Sequence, residues 1–328
     1  MTDAPLITRF DAVLSDLDGV VYAGPHAIPG AVEVLRRLAE FDVALGYVTN
    51  NASRSPAAVA AHLRDLGAPA EDEQVVSSAQ AGAALLAEHL KPGARVLITG
   101  SKALAHEVSL VGLTPVTAED GTPDAVVQGF DPGLGWRDLA EASYAVAGGA
   151  FWVATNTDMS IPQARGFAPG NGTLVAAVRA ATGKSPLVAG KPEAPLFHTA
   201  ARRLGSARPL VVGDRLDTDV LGGNNAGMAT AVVLTGVDTF RTILAAPTPQ
   251  RPAFLLKDLG ALFEPYPEVV HDDGVVRCGE ASAEVSGDGL KVGGSDDDIN
   301  AWRAACAAWW SHHRDTRRHV APEIAFTG

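Results

Sequence analysis

Residues 12–22 read Ala-Val-Leu-Ser-Asp-Leu-Asp-Gly-Val-Val-Tyr, an apolar run that stops at two carboxylates, Asp16 and Asp18, and then meets Gly19. A short apolar run bounded by a turn former predicts a buried strand, and Gly19 lets the chain reverse sharply beyond it. An acid pair at i and i+2 beside a glycine suits a site where one carboxylate attacks and the other moves a proton. It suits equally well a strand end with two solvated acids. The choice between the two rests on what the rest of the chain supplies.

Working outward, short apolar runs at 12–16, 43–49, 95–99, 124–128, 151–155, 209–213 and 229–234 alternate with Ala/Leu-rich segments of helical spacing. In residues 31–41, for example, Val32, Leu35, Leu38 and Ala39 fall three and four apart, which gives one apolar face. Strand and helix in alternation imply an α/β protein with a parallel sheet, whose ligands collect beyond the carboxyl ends of the strands. Past Glu264 the pattern changes. Residues 269–293 alternate in short runs separated by DDG, SGDG and GG, which predicts hairpins, and residues 296–314 predict one helix capped by Ser295. This reads as a small appended module.

Composition narrows the function classes. A chain of 328 residues with 47% hydrophobic and 20% charged residues is ordinary globular material, long enough for about two domains. A formal net charge of −12, without a block of five or six Lys/Arg, disfavours nucleic acid as a partner. No apolar run approaches the ~20 residues needed to span a bilayer, and the N-terminus lacks the basic-then-apolar layout of a signal peptide. The expectation is a cytoplasmic protein with no membrane insertion. Cys278 and Cys306 lack any paired spacing and are expected to be free thiols.

Two further strand ends and one helix start carry polar groups. The run 43–49 ends in Thr49-Asn50-Asn51, a hydroxyl and two amides able to bond phosphoryl oxygens or simply to form a turn. Gly190-Lys191-Pro192-Glu193 fits the start of a helix, with Lys191 either a ligand or solvated. The run 209–213 leads to Asp214, with Asp219 five residues on, a spacing that lets two carboxylates face one cation or cap a helix.

Taken in order, DxDGV, a Thr after the second strand, a Lys in GKP and GDxxxxD resemble the four motifs of the haloacid-dehalogenase phosphatases. DLDGVVY, TNNAS, AGKPE and GDRLDTD resemble the NagD-like subfamily in particular, over residues 8–264. The resemblance implies a Rossmann-like parallel-sheet core (1–78 and 187–264) with an inserted α/β cap domain (79–186) and a small C-terminal α+β extension (265–328). It implies a phosphatase acting on a small phosphorylated metabolite, with glycerol 3-phosphate favoured and 2-phosphoglycolate next. A phosphomutase and a non-catalytic phosphometabolite-binding module are the other classes considered.

On this resemblance Asp16 is the nucleophile and Asp18 the general acid and base. Mg2+ is held by Asp16, the backbone carbonyl of Asp18, Asp214 and Asp219, while Thr49, Asn50, Asn51 and Lys191 bind the phosphoryl group. Arg215 and Asp217 are expected to be structural. The stretch 154–173 resembles the cap segment that reaches the substrate, and within it the loop 156–172 nominates Asn156, Asp158 and Arg165 as groups bonding the alcohol part, the alternative being a loop that merely joins strand 151–155 to helix 173–182. Where pyridoxal phosphate phosphatases carry a His before a Pro this chain has Ile161, which disfavours that substrate. The tail is compatible with a truncated acetyltransferase-like fragment but lacks the acyl-CoA pyrophosphate loop, so no transferase activity is expected. Its tryptophans, Trp302, Trp309 and Trp310, are expected to serve packing or dimerisation, and a homo-oligomer is left open.

Overall fold

Four strands, Phe254–Leu256, Ala229–Val233, Pro209–Gly213 and Ala12–Ser15, lie side by side in that order, all parallel. Ala12–Ser15 and Pro209–Gly213 are buried along their whole length. A parallel strand covered on both faces must be apolar throughout, which is why these strands appear in the sequence as unbroken runs. The computed structural model describes residues 4–163 and 165–327. They fall into two compact units, one of residues 4–45, 66–69 and 205–327 and one of residues 46–65, 70–163 and 165–204.

The first unit holds these four strands and the C-terminal segment. Strands Val269–Asp272, Val275–Cys278, Ala281–Ser286 and Gly289–Gly293 form an antiparallel meander, and Glu323–Phe326 adds in parallel to the last of them. Asp273 and Gly274 both take positive φ, 44° and 89°, as a two-residue hairpin turn demands. The expected helix over 296–314 runs from Ile299 to His312. Its cap is Asp298, whose Oδ1 accepts the Asn300 N–H at 2.9 Å, and not Ser295, which bonds Asp297 instead.

This segment shares one apolar core with the sheet. A continuous cluster runs from Leu216, Val220, Val232, Ile243 and Leu255 to Val276, Leu290, Trp302 and Trp309. Trp302 stacks on Phe240 with ring centroids 4.9 Å apart. The three indole N–H groups donate to Asp296 O, Val320 O and Leu244 O at 2.7–3.1 Å, so these large rings are packed without an orphaned donor. Cys278 and Cys306 are free and buried, and burial pushes both thiols up.

The second unit is built on a five-stranded parallel sheet in the order Leu187–Val188, Phe151–Ala154, Ala125–Gln128, Arg95–Thr99, Thr114–Val116. Helices Trp136–Ala147 and Asn171–Thr182 cover one face through Leu97, Val126, Val146, Trp152, Val175 and Val178. Ser77 caps the helix Ser78–His89 and Ser101 caps Lys102–Leu110, each accepting an N–H from the third helical residue. The segment 156–172 contains a hairpin, Ser160–Gln163 with Gly166–Pro169. The helix expected to start at Lys191 starts at Pro195, with Lys191–Ala194 forming the turn before it. No helix among the described residues is long and apolar enough to cross a membrane.

Candidate active site

The first unit carries the carboxylates. Asp16 follows the strand Ala12–Ser15 directly, its N–H still donating to Val212 O at 2.8 Å, so the sheet fixes where this residue stands. Asp16 is half-buried and Asp18, one residue further into the turn, is exposed. Gly19 takes φ 77° and its N–H closes the turn on Tyr22 O at 2.8 Å, while the Thr235 hydroxyl donates to Gly19 O at 2.6 Å.

Asp214 leaves the strand Pro209–Gly213 and is 2% exposed; Asp219, 1% exposed, sits in the π-helical turn Leu216–Val220. The Val237 N–H donates to Asp214 Oδ2 at 2.8 Å and the Arg215 N–H to Asp219 Oδ2 at 3.3 Å. Two glycines make room: a Cβ on Gly236 would stand 2.0 Å from Asp214 Oδ2, and one on Gly19 2.3 Å from the same atom. One carboxylate oxygen each from Asp16, Asp214 and Asp219 lies within 4.8 Å of the other two. Three like charges this close, two of them buried, repel strongly unless a cation sits among them. An all-oxygen carboxylate set fits a hard divalent ion such as Mg2+. The Asp18 carboxylate is not part of this group.

Arg215 does not enter it. Its guanidinium makes a two-point pair with Asp217 at 2.9 and 3.0 Å, and that hydrogen bonding, with the nearby charges of Asp217, Asp214 and Asp219, holds its pKa above the usual arginine value. The pair is about half exposed and contributes little stability.

The second unit carries Thr49, 8% exposed, and Lys191, 3% exposed, together with the amides of the sequence reading. Asn51 is exposed, and its Oδ1 accepts from Ser53 N, Ser53 Oγ and Arg54 N at 2.8–3.2 Å, an Asx turn that leads into the helix Pro56–Asp65. Asn50 Oδ1 accepts the Lys191 N–H at 2.7 Å, and Asn50 Nδ2 lies 3.1 Å from Lys191 O and 3.2 Å from both oxygens of Asp158. Asn156, 4% exposed, donates to Asn50 O at 2.7 Å and accepts the Asp158 N–H at 3.2 Å. The side chains of Asn50, Asn51, Asn156 and Asp158 are thus all engaged in shaping the loops that carry them. Arg165 is exposed at the turn of the hairpin Ser160–Gln163/Gly166–Pro169; its neighbour Ala164 lies outside the described residues.

Sequence reasoning passed over Ser78 and Ser101, whose hydroxyls donate to Asn50 O at 2.6 Å and Ala52 O at 2.9 Å, and over Thr235 and Gly236 behind the carboxylates. The only signal available was the Ser at each helix start, which reads as an N-cap and nothing more.

A profile of the haloacid dehalogenase-like hydrolases matches residues 13–114, and a HAD-hydrolase-like profile matches residues 188–262. The chain is 44% identical to the D-glycerol 3-phosphate phosphatase of Mycobacterium tuberculosis, over 96% of its own length and 92% of the relative's. The chain belongs to the haloacid dehalogenase-like hydrolases. The acid sugar phosphatase of Staphylococcus saprophyticus subsp. saprophyticus is 37% identical over 78% of this chain and 98% of that protein. Among solved structures, the Mycobacterium tuberculosis glycerol phosphate phosphatase in complex with calcium aligns with a TM-score of 0.90 at 42% identity, covering 99% of this chain and 95% of the other. Its complex with magnesium gives 0.85 over the same shares of the two chains.

Proposed function

We propose that this haloacid dehalogenase-like hydrolase removes phosphate from a small phosphomonoester, glycerol 3-phosphate first, through an aspartyl-phosphate. The convergence of Asp16, Asp214 and Asp219 within 4.8 Å, with Asp18 two residues beyond Asp16 on the turn, carries this reading. Asp16, Asp214, Asp219 and the Asp18 carbonyl would hold Mg2+, whose positive charge would let a carboxylate approach a phosphate dianion. Thr49 and Lys191 hold the phosphoryl oxygens in this proposal.

An oxygen of Asp16 attacks phosphorus as the ester P–O bond breaks, and Asp18 gives its proton to the departing alkoxide. Asp18, now a carboxylate, takes a proton from water whose oxygen attacks phosphorus. The bond to Asp16 breaks, and inorganic phosphate leaves with both aspartates restored. Exposure of Asp18 suits this exchange with water.

The substrate choice is supported by the extent of likeness. The match to the D-glycerol 3-phosphate phosphatase runs through 96% of this chain, whereas the acid sugar phosphatase corresponds to 78% of it. Residues 79–186 act as the cap in this reading, and Arg165 is the group proposed to read the alcohol part.

The test is kcat/KM, with Mg2+, for glycerol 3-phosphate, 2-phosphoglycolate, a panel of sugar phosphates and p-nitrophenyl phosphate. Glycerol 3-phosphate should rank first among the metabolites. A sugar phosphate ranking above it would replace the substrate, and absence of turnover on every ester would end the phosphatase reading. EDTA should abolish activity and Mg2+ restore it, with Ca2+ inhibiting because it prefers longer bonds and more ligands than an octahedral Mg2+ site.

A further inference from the structure

We infer that Asn50 is a positioning residue for Lys191, and that Asp158 supports the orientation of the Asn50 amide that the Lys191 main chain requires; the inference rests on the phosphatase reading above. Asn50 Oδ1 accepts the Lys191 N–H at 2.7 Å and Nδ2 stands 3.1 Å from Lys191 O. One side-chain amide therefore engages both main-chain groups of the residue whose ammonium is to hold phosphate. A primary amide has two N–H protons. One goes to Lys191 O, and the other is shared between the two oxygens of Asp158, each 3.2 Å away.

The Lys191 main chain and the Asp158 carboxylate together fix which way round the amide sits. Turned over, Asn50 would place its oxygen against the negative Asp158 and the Lys191 carbonyl, and its NH2 against the Lys191 N–H. The observed orientation is the only one in which all four groups are matched.

Both partners are built to stay put. Asn50 O receives the Ser78 hydroxyl at 2.6 Å and the Asn156 amide at 2.7 Å. Asp158 is held through its own main chain, its N–H on Asn156 Oδ1 at 3.2 Å and its carbonyl on the Gly172 N–H at 2.9 Å. Gly190 lets the turn before Lys191 come this close, since a Cβ there would stand 2.5 Å from Asn50 Oδ1. A residue of the cap segment 156–172 is thereby joined through one amide to the backbone of Lys191. Asp158, nominated by sequence as a reader of substrate hydroxyls, is assigned here to holding the phosphate-binding lysine in place.

The test uses full-length Asn50→Ala, Asn50→Asp, Asp158→Asn and the double variant that combines Asn50→Asp with Asp158→Asn, assayed on p-nitrophenyl phosphate, which offers no hydroxyls to read. Asn50→Asp sets two carboxylates face to face and should lower kcat/KM about 100-fold, Asn50→Ala somewhat less. Inhibition by inorganic phosphate should weaken about tenfold in both, while half-saturation by Mg2+ stays within twofold. Asp158→Asn can still accept from Asn50 and should stay within about threefold of wild type. In the double variant an amide at position 158 donates to a carboxylate at position 50, the reverse of the original bond, and at least tenfold of the Asn50→Asp loss should return.

Wild-type behaviour in Asn50→Ala, loss without weakened phosphate inhibition, or a double variant no better than Asn50→Asp would each overturn the inference while leaving the phosphatase reading intact. A wild-type enzyme without turnover would instead sink the parent reading.

Discussion

At the scale of single residues, the two acids of the first turn differ in exposure, and the difference separates their proposed tasks. Asp16 is half-buried beside Asp214 and Asp219, so an amide in its place removes both an attacking oxygen and a charge from the cluster. Turnover of Asp16→Asn should fall to background with the circular dichroism spectrum unchanged; wild-type-like rates would end the covalent mechanism. Asp18→Asn should keep Mg2+ half-saturation near wild type and lose roughly 10²- to 10⁴-fold in rate with a poor leaving group, the usual share of acid-base catalysis. A loss below tenfold would remove Asp18 from that role. The close approach of Gly236 gives a test of the metal site that leaves every carboxylate in place. A methyl 2.0 Å from Asp214 Oδ2 cannot be accommodated without moving that carboxylate. Gly236→Ala should therefore raise the half-saturating Mg2+ concentration more than tenfold, and an unchanged Mg2+ titration would show that Asp214 is not a ligand.

At the scale of elements, strand ends were legible in the sequence because a parallel strand buried on both faces is an unbroken apolar run, and the polar residue that ends it is conspicuous. Asp16, Thr49 and Asp214 all stand out in this way. The use made of Asn50 was not legible, because its amide meets groups 108 and 141 residues away, and no local spacing reports such a partner. The same holds for Glu107, which reads as a surface acid on the helix Lys102–Leu110 yet is 7% exposed. Burial raises its pKa, and the opposing hydrogen bond with Gln80 and the charges of His106 and Arg203 do not cancel the effect. With its folded-state pKa raised, Glu107 keeps its proton at pH values where the unfolded chain has lost it, so stability falls as pH rises from the ordinary carboxylate value through the raised one. Glu107→Gln should match wild type in Tm near pH 4 and exceed it by about 2–4 °C at pH 8. A Tm gap that does not widen with pH would mean that Arg203 compensates the buried charge. The hairpin Ser160–Gln163/Gly166–Pro169 brings a second element-scale expectation. Arg165→Ala should cost about tenfold in kcat/KM on glycerol 3-phosphate and leave p-nitrophenyl phosphate within twofold. Equal losses on both would show that the hairpin does not read the alcohol.

At the scale of the whole molecule, the C-terminal segment presents a contrast between family and chain. The family profiles end at residue 262, and relatives such as the acid sugar phosphatase correspond over nearly their whole length to about three quarters of this chain. A fold of this family therefore exists without a tail. In this chain, however, Ile243, Leu244 and Leu255 lie in the same apolar cluster as Val276, Leu290, Trp302 and Trp309. That cluster also includes Leu216 and Val220, which flank Asp219 in the turn that carries it. Polar ties add to the apolar ones: Arg303 donates to Leu255 O at 2.7 Å, and Leu255 N–H donates to the Tyr266 hydroxyl at 3.0 Å. Removing residues 265–328 would expose this face to water, and a contiguous apolar surface of that kind drives association. Truncation after Glu264 should give aggregated protein, and the milder Trp309→Ala should keep the fold while losing about 3–5 kcal/mol, the usual cost of a buried large aromatic. At about 2–4 °C per kcal/mol this is a Tm drop of roughly 10 °C. Because the same cluster backs the Asp219 turn, saturating Mg2+ should recover part of that loss in Trp309→Ala. A truncated chain that stays monomeric with wild-type Tm and Mg2+ dependence would show that the tail is carried by the core and does not support it.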